Sequence, residues 1–208
     1  MRVGIVGGTF DPIHNGHIML GQEAYFAWNL DEIWFLPNGN PPHKETKGFQ
    51  SKLYQRVEMI QIAIENIPHF QVSLLEAKEG VHSYTYKTLE ELQTTFPAYD
   101  FYFIMGADSL FTIEKWMQFR EIFPRCMILA AFRDDKRLLE MKTQINYLKE
   151  SYEAKIELLF TPIIEVSSSG IRQAVAVGED VSSMLPEGVW NYIREQQLYT
   201  DVKDRRHT

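Results

Sequence analysis

Val3-Gly4-Ile5-Val6-Gly7-Gly8-Thr9-Phe10-Asp11-Pro12-Ile13-His14-Asn15-Gly16-His17 joins an apolar run to a glycine pair, a proline and two histidines. The run from Val3 to Val6 reads as a strand covered on both faces, because it is nearly continuously hydrophobic instead of alternating. The glycine pair ending it lets the backbone turn with positive φ and approach a ligand closely, since no Cβ intervenes. Pro12 stiffens the loop that follows. His14 and His17, with Gly16 between them, then fall near the first turn of a helix, whose free N–H groups and dipole favour an anion. Strand, loop and helix start together read as a phosphate cradle.

Further along the chain, apolar runs at 33–36, 101–105, 127–132 and 156–160 have the same two-sided character. Between them apolar residues recur at helical spacing: Ile18, Gly21, Tyr25, Trp28; Leu53, Val57, Ile60, Ile64; Leu89, Leu92, Phe96; Leu138, Met141, Ile145, Leu148; and Val189, Ile193. This alternation predicts a doubly wound α/β fold, a mostly parallel sheet with helices on both faces and right-handed crossovers. Ligands of such sheets bind at the carboxyl ends of the strands, near the reversal in strand order. Two connections, 37–50 and 76–83, are longer than α/β units need, which points to function. The first presents Lys44 behind Pro41, Pro42 and His43.

The chain has 208 residues and no Gly/Ser/Pro-rich linker, so residues 1–208 read as one domain, with roughly the last eight a solvated tail. A hydrophobic fraction of 45% and a charged fraction of 24% allow a sizeable core. The net charge of −7 repels polyanions, so no nucleic acid is expected as partner; a small phosphorylated ligand can still be held by a local cluster of donors. Cys126 is the single cysteine, cannot form an intrachain disulfide, and lies in an apolar run, where it reads as core. The sequence enters a strand directly after Met1, and its apolar runs fall short of the ~20 residues a membrane helix needs; a cytoplasmic protein with no membrane contact is expected.

A second anion site is suggested by Val166-Ser167-Ser168-Ser169-Gly170-Ile171-Arg172. The serines can cap a helix, and Arg172, one turn in, offers a forked donor suited to phosphate oxygens. Alone, a serine run before a helix is an ordinary cap. Combined with the first cradle it implies two helix N-termini converging on one polyphosphate, and so a nucleoside triphosphate. Two other readings of the histidine pair stand beside this one: residues that merely fill space at a helix start, or metal ligands of a hydrolase together with Asp11. No further His, Asp and Glu cluster in the sequence completes the metal site.

Gly8, Thr9, Phe10, Asp11, Pro12, His14, Gly16 and His17 resemble the HxGH signature of the adenylyl- and cytidylyltransferase superfamily, and residues 167–172 resemble its partner motif. Ser169 and Val166 stand where that pattern usually has threonine and isoleucine, which keeps the hydroxyl and the branching. The chain length, the loop 41–44, the turn Gly106-Ala107-Asp108-Ser109 and Trp116 are similar to bacterial nicotinate-nucleotide adenylyltransferases, and the resemblance spans nearly the whole chain.

What the resemblance implies is a reaction of ATP with nicotinate mononucleotide giving deamido-NAD and pyrophosphate, with Mg2+ carried by ATP, no metal held by the protein itself, and possible homo-oligomers. The mononucleotide phosphate is already a nucleophile at neutral pH, so catalysis reduces to positioning and charge stabilisation. On this reading His17 and Thr9 hydrogen-bond the α-phosphate, and His14 holds the polyphosphate beside it. Nearby phosphate charge favours imidazolium, so at least one histidine is expected to donate as a cation. Gly8 and Phe10 belong to the ATP cradle. Ser168 and Arg172 grip the β- and γ-phosphates, Lys44 closes over them, and Gly106 and Asp108 meet ribose or adenosine. Trp116 stacks on the pyridine ring, while backbone N–H groups at Thr85 and Met117 receive the nicotinate carboxylate. Two alternatives remain: a phosphopantetheine adenylyltransferase, whose chains are shorter and would not need loop 41–44 or Trp116, and a non-catalytic nucleotide-binding regulatory module.

Overall fold

The computed structural model describes residues 1–39, 51–78, 82–132, 138–163 and 165–200. Six strands, β1 (Arg2–Gly8), β2 (Glu32–Pro37), β3 (Phe70–Val72), β4 (Asp100–Gly106), β5 (Met127–Phe132) and β6 (Ile156–Phe160), form one sheet in the order β3-β2-β1-β4-β5-β6. Every neighbouring pair is parallel. The helices are α1 (Asn15–Ala27), α2 (Leu53–Ile64), α3 (Thr85–Thr95), α4 (Ala107–Thr112), α5 (Leu138–Tyr152), α6 (Ser168–Ala176) and α7 (Val189–Glu195). The strand order reverses between β1 and β4, so the crevice for ligands opens beyond the end of β1.

The five longer strands feed two cores because successive side chains point to opposite faces. Val6, Ile33, Phe35, Ile104 and Leu129 face α1, α2, α6 and α7, where Ile18, Met59, Ile60, Ile171 and Ile193 close the layer. Val3, Ile5, Leu36, Phe103 and Ile128 face α3, α4 and α5, meeting Leu89, Leu110, Met141 and Leu148. Cys126 is buried in this second layer, and burial pushes its thiol up to about 12. Gly4 has no room for a side chain, since a Cβ there would stand 2.6 Å from Ile33 Cδ1.

The five expected strands are present within a residue or two of the apolar runs. β3 was not anticipated: it spans only three residues and pairs with β2 alone, too short to leave a pattern. α4 was missed as well, because six residues cannot show helical periodicity. No helix among the described residues is long and apolar enough to cross a membrane.

Candidate active site

Beyond β1 the chain turns through Phe10, which adopts a left-handed φ of 52°, and a cis Asp11–Pro12 bond before His14 caps α1. The His14 carbonyl accepts the first helical bonds, from His17 N–H at 2.8 Å and Ile18 N–H at 3.3 Å. Asn15 and Gly16 therefore present first-turn N–H groups along the helix axis. The Phe10 side chain goes into the core, edge-on to His17 with ring centroids 5.0 Å apart. Phe10 thus supports the histidine from below, and only its backbone remains open toward the turn.

The imidazoles of His14 and His17 stack, with centroids 3.7 Å apart and planes inclined by 23°. His17 Nδ1 accepts the His14 backbone N–H at 3.3 Å. An accepting Nδ1 carries no proton, so the ring proton of His17 resides on Nε2 and that nitrogen is the donor.

α6 docks on the same turn. Ser167 caps it by accepting from Gly170 N–H at 3.1 Å. Ser168 Oγ donates to the Pro12 carbonyl at 2.9 Å, and Arg172 Nη1 donates to the Asp11 carbonyl at 2.6 Å. Gly16 makes the approach possible, since a Cβ there would lie 3.1 Å from Val166 Cγ1. The two helix starts expected from sequence therefore stand side by side. Two α6 side chains also bind the loop itself. A hydroxyl has one proton, and Ser168 spends it on Pro12; one Arg172 nitrogen is likewise committed to the loop. What α6 still offers an anion is its backbone N–H groups and the remaining guanidinium donors.

Arg56, only 1% exposed, donates from Nη1 to the Thr9 carbonyl at 2.7 Å and the Asn38 carbonyl at 2.8 Å, tying the end of β1 to the end of β2. Sequence reasoning missed it, although a signal exists: Arg56 is the one charged residue on the apolar stripe of α2 that includes Leu53 and Ile60. The Asp11 carboxylate, 2% exposed, accepts from the Ser51 and Tyr199 hydroxyls, which argues against its serving a metal alongside the histidine pair.

On the other flank of β1, Gly7, Gly8, Asn38, Thr85, Trp116 and Met117 line a cavity of about 160 Å³. Trp116 follows a 3-10 turn at Ile113–Lys115, is half-buried, and meets Phe103 edge-on at 6.2 Å. Tyr84 caps α3 and its carbonyl takes the Lys87 and Thr88 N–H groups, so the Thr85 N–H is a first-turn donor. Glu76 enters the same wall: Oε1 accepts from Thr88 Oγ1 at 2.6 Å, and its carbonyl accepts from Gly39 N–H at 2.9 Å. Burial pushes its carboxyl above the usual carboxylate range, partly opposed by the Thr88 bond. Gly106 and Asp108 sit exposed at the carboxyl end of β4, with open space around Gly106. Asp108 also lies in the first turn of α4, where a carboxylate complements the helix dipole. Lys44, with Pro41, Pro42 and His43, lies outside the described residues.

The Cytidylyltransferase-like family model matches residues 5–174. Probable nicotinate-nucleotide adenylyltransferases of Lachnoclostridium phytofermentans and Clostridium kluyveri are 43% and 38% identical to this chain, covering 95% and 96% of it and 98% and 99% of their own lengths. The chain belongs to the nicotinate-nucleotide adenylyltransferase family. Its fold is also that of the Plasmodium falciparum nicotinic acid mononucleotide adenylyltransferase complexed with NaAD, at a TM-score of 0.78 and 22% identity over 97% of this chain and 99% of that one.

Proposed function

We propose that this chain transfers the adenylyl group of ATP to nicotinate mononucleotide, forming deamido-NAD and releasing pyrophosphate. An oxygen of the mononucleotide phosphate bonds to the α-phosphorus while the bond to the α–β bridging oxygen breaks, its electron pair leaving with pyrophosphate. No base is needed, since the attacking phosphate is already anionic. The observation that carries this reading is the pairing of α1 and α6 through Arg172 and the Asp11 carbonyl, beside a cavity walled by Trp116.

His17 Nε2 and Thr9 would donate to the α-phosphate as charge builds there, with His14, Arg172 and Lys44 along the polyphosphate. Gly106 and Asp108 at the β4 end would meet the adenosine side. Trp116 would stack on the pyridine ring, and the Thr85 and Met117 N–H groups would take its carboxylate. Two N–H groups donate readily to a carboxylate, whereas an amide would turn its NH2 toward one of them; the acid substrate should be preferred. Among the described residues no three His, Cys, Asp or Glu side chains converge as a metal cage. A Mg2+ ion carried in on the triphosphate would supply charge neutralisation for the leaving pyrophosphate.

The test is pyrophosphate release from ATP with nicotinate mononucleotide, nicotinamide mononucleotide or phosphopantetheine, each beside an ATP-only control. Turnover with nicotinate mononucleotide, and less with its amide, is expected. Turnover with phosphopantetheine alone would overturn the assignment, and ATP binding without release in any arm would favour a regulatory module.

A further inference from the structure

The phosphate turn is fastened from parts of the chain remote from the reacting groups. Tyr199, 188 residues from Asp11, donates its hydroxyl to Asp11 Oδ1 at 2.8 Å, and Ser51 donates to the same oxygen. The two hydroxyls are themselves 3.3 Å apart. The carbonyls on either side are also taken: Thr9 by Arg56, Asp11 by Arg172, Pro12 by Ser168. The backbone carrying Thr9 and leading to His14 is thus held by α2, by α6, and through Asp11 by the segment after α7.

That last segment is shaped to aim one hydroxyl. Gln197 and Tyr199 both adopt left-handed φ values, 51° and 64°, a conformation that a bulky L residue keeps only where its surroundings over-determine it. The Leu198 N–H between them closes on the Ile193 carbonyl at 2.9 Å. Tyr199 is 5% exposed; burial, then the Asp11 charge, hold its hydroxyl far above the usual phenol range, with the Ser51 bond and Arg172 opposing. It remains a donor at any working pH.

We propose that Tyr199 is a positioning residue for the reaction: with Ser51 it fixes the Asp11 carboxylate, and so sets where Thr9 and the histidine pair stand relative to the α-phosphate. The inference rests on the adenylyl-transfer reading above. Tyr199→Phe removes one hydroxyl from a site that keeps its shape, and Ser51→Ala removes the other.

In the full-length chain each variant is expected to lower kcat by about tenfold, since small misplacements of reacting groups are costly in rate. KM for nicotinate mononucleotide, whose ring site lies on the other flank of β1, should change by less than about twofold. The double variant should lose little more than the worse single one, because both hydroxyls act through one carboxylate. Ile145→Val, buried in the layer on the opposite face of the sheet, should lower the thermal midpoint with kcat unchanged. A Tyr199→Phe protein with parental kcat, whatever its thermal midpoint, would overturn the proposal, as would losses that simply multiply in the double variant. If Tyr199→Phe does not fold, Ser51→Ala carries the same expectation alone. A parent protein that releases no pyrophosphate with nicotinate mononucleotide would instead defeat the underlying assignment, which separates the two failures.

Discussion

His17 faces the His14 backbone through Nδ1, so its remaining ring nitrogen is a donor whose direction is set by two stacked rings and by Phe10 beneath. On the proposed reading, a donor held in this way would need little reorganisation as charge develops on the α-phosphate. His17→Ala is expected to lower kcat by about 10²- to 10³-fold with a smaller effect on KM, as read from pyrophosphate release; a fully active variant would remove the histidine from the mechanism. Arg56 works at the same scale, with no contact to substrate required. Replacing it with methionine leaves the Thr9 and Asn38 carbonyls without their donor, and an expected loss of about 2–4 kcal/mol in urea unfolding follows from two orphaned acceptors. Trp116→Ala should raise KM for nicotinate mononucleotide by about tenfold while KM for ATP moves little, since a stacked ring pair is worth ~1 kcal/mol beyond the area it buries. Equal effects on both substrates would place the indole elsewhere.

At the level of elements, the start of α3 is held in place by Glu76, which joins Thr88 to Gly39 at the end of β2. Because burial raises the Glu76 pKa, the folded protein keeps this proton to higher pH than the unfolded chain does. The stability Glu76 contributes is therefore full below the ordinary carboxylate pKa and is lost as pH rises through the raised one. Glu76→Gln keeps an oxygen for Thr88 and removes the titration. It is expected to unfold at higher denaturant than the parent at neutral pH, the gap closing as pH falls below the ordinary carboxylate range; a gap that widens toward acid would contradict this. Elements also show what pattern can and cannot convey. The helix α6 was legible from three serines and a glycine, but the partners of Ser168 and Arg172 were not, because a hydroxyl or guanidinium that suits a phosphate oxygen suits a backbone carbonyl equally well.

Over the whole molecule, a net charge of −7 should keep the chain off duplex DNA at physiological salt, and the anisotropy of a labelled duplex should stay flat on titration. A salt-sensitive rise would reveal a basic face that composition conceals. The alternation of two-sided apolar runs with helical spacing, and the Gly8 to His17 signature, determined by themselves that the sheet is parallel and doubly wound and that its first loop ends at a histidine-led helix. Those features are local: side-chain period, glycine at a strand end and a helix start are written in neighbouring residues. Only the tertiary structure decided that Arg56 is buried between two strand ends, that Glu76 and Trp116 share one cavity, and that Tyr199 reaches Asp11 across nearly the full chain. Each of these is a contact between residues far apart in sequence, selected by burial and by the need of a buried polar group for a partner, and neither requirement can be met until the sheet has brought the segments together.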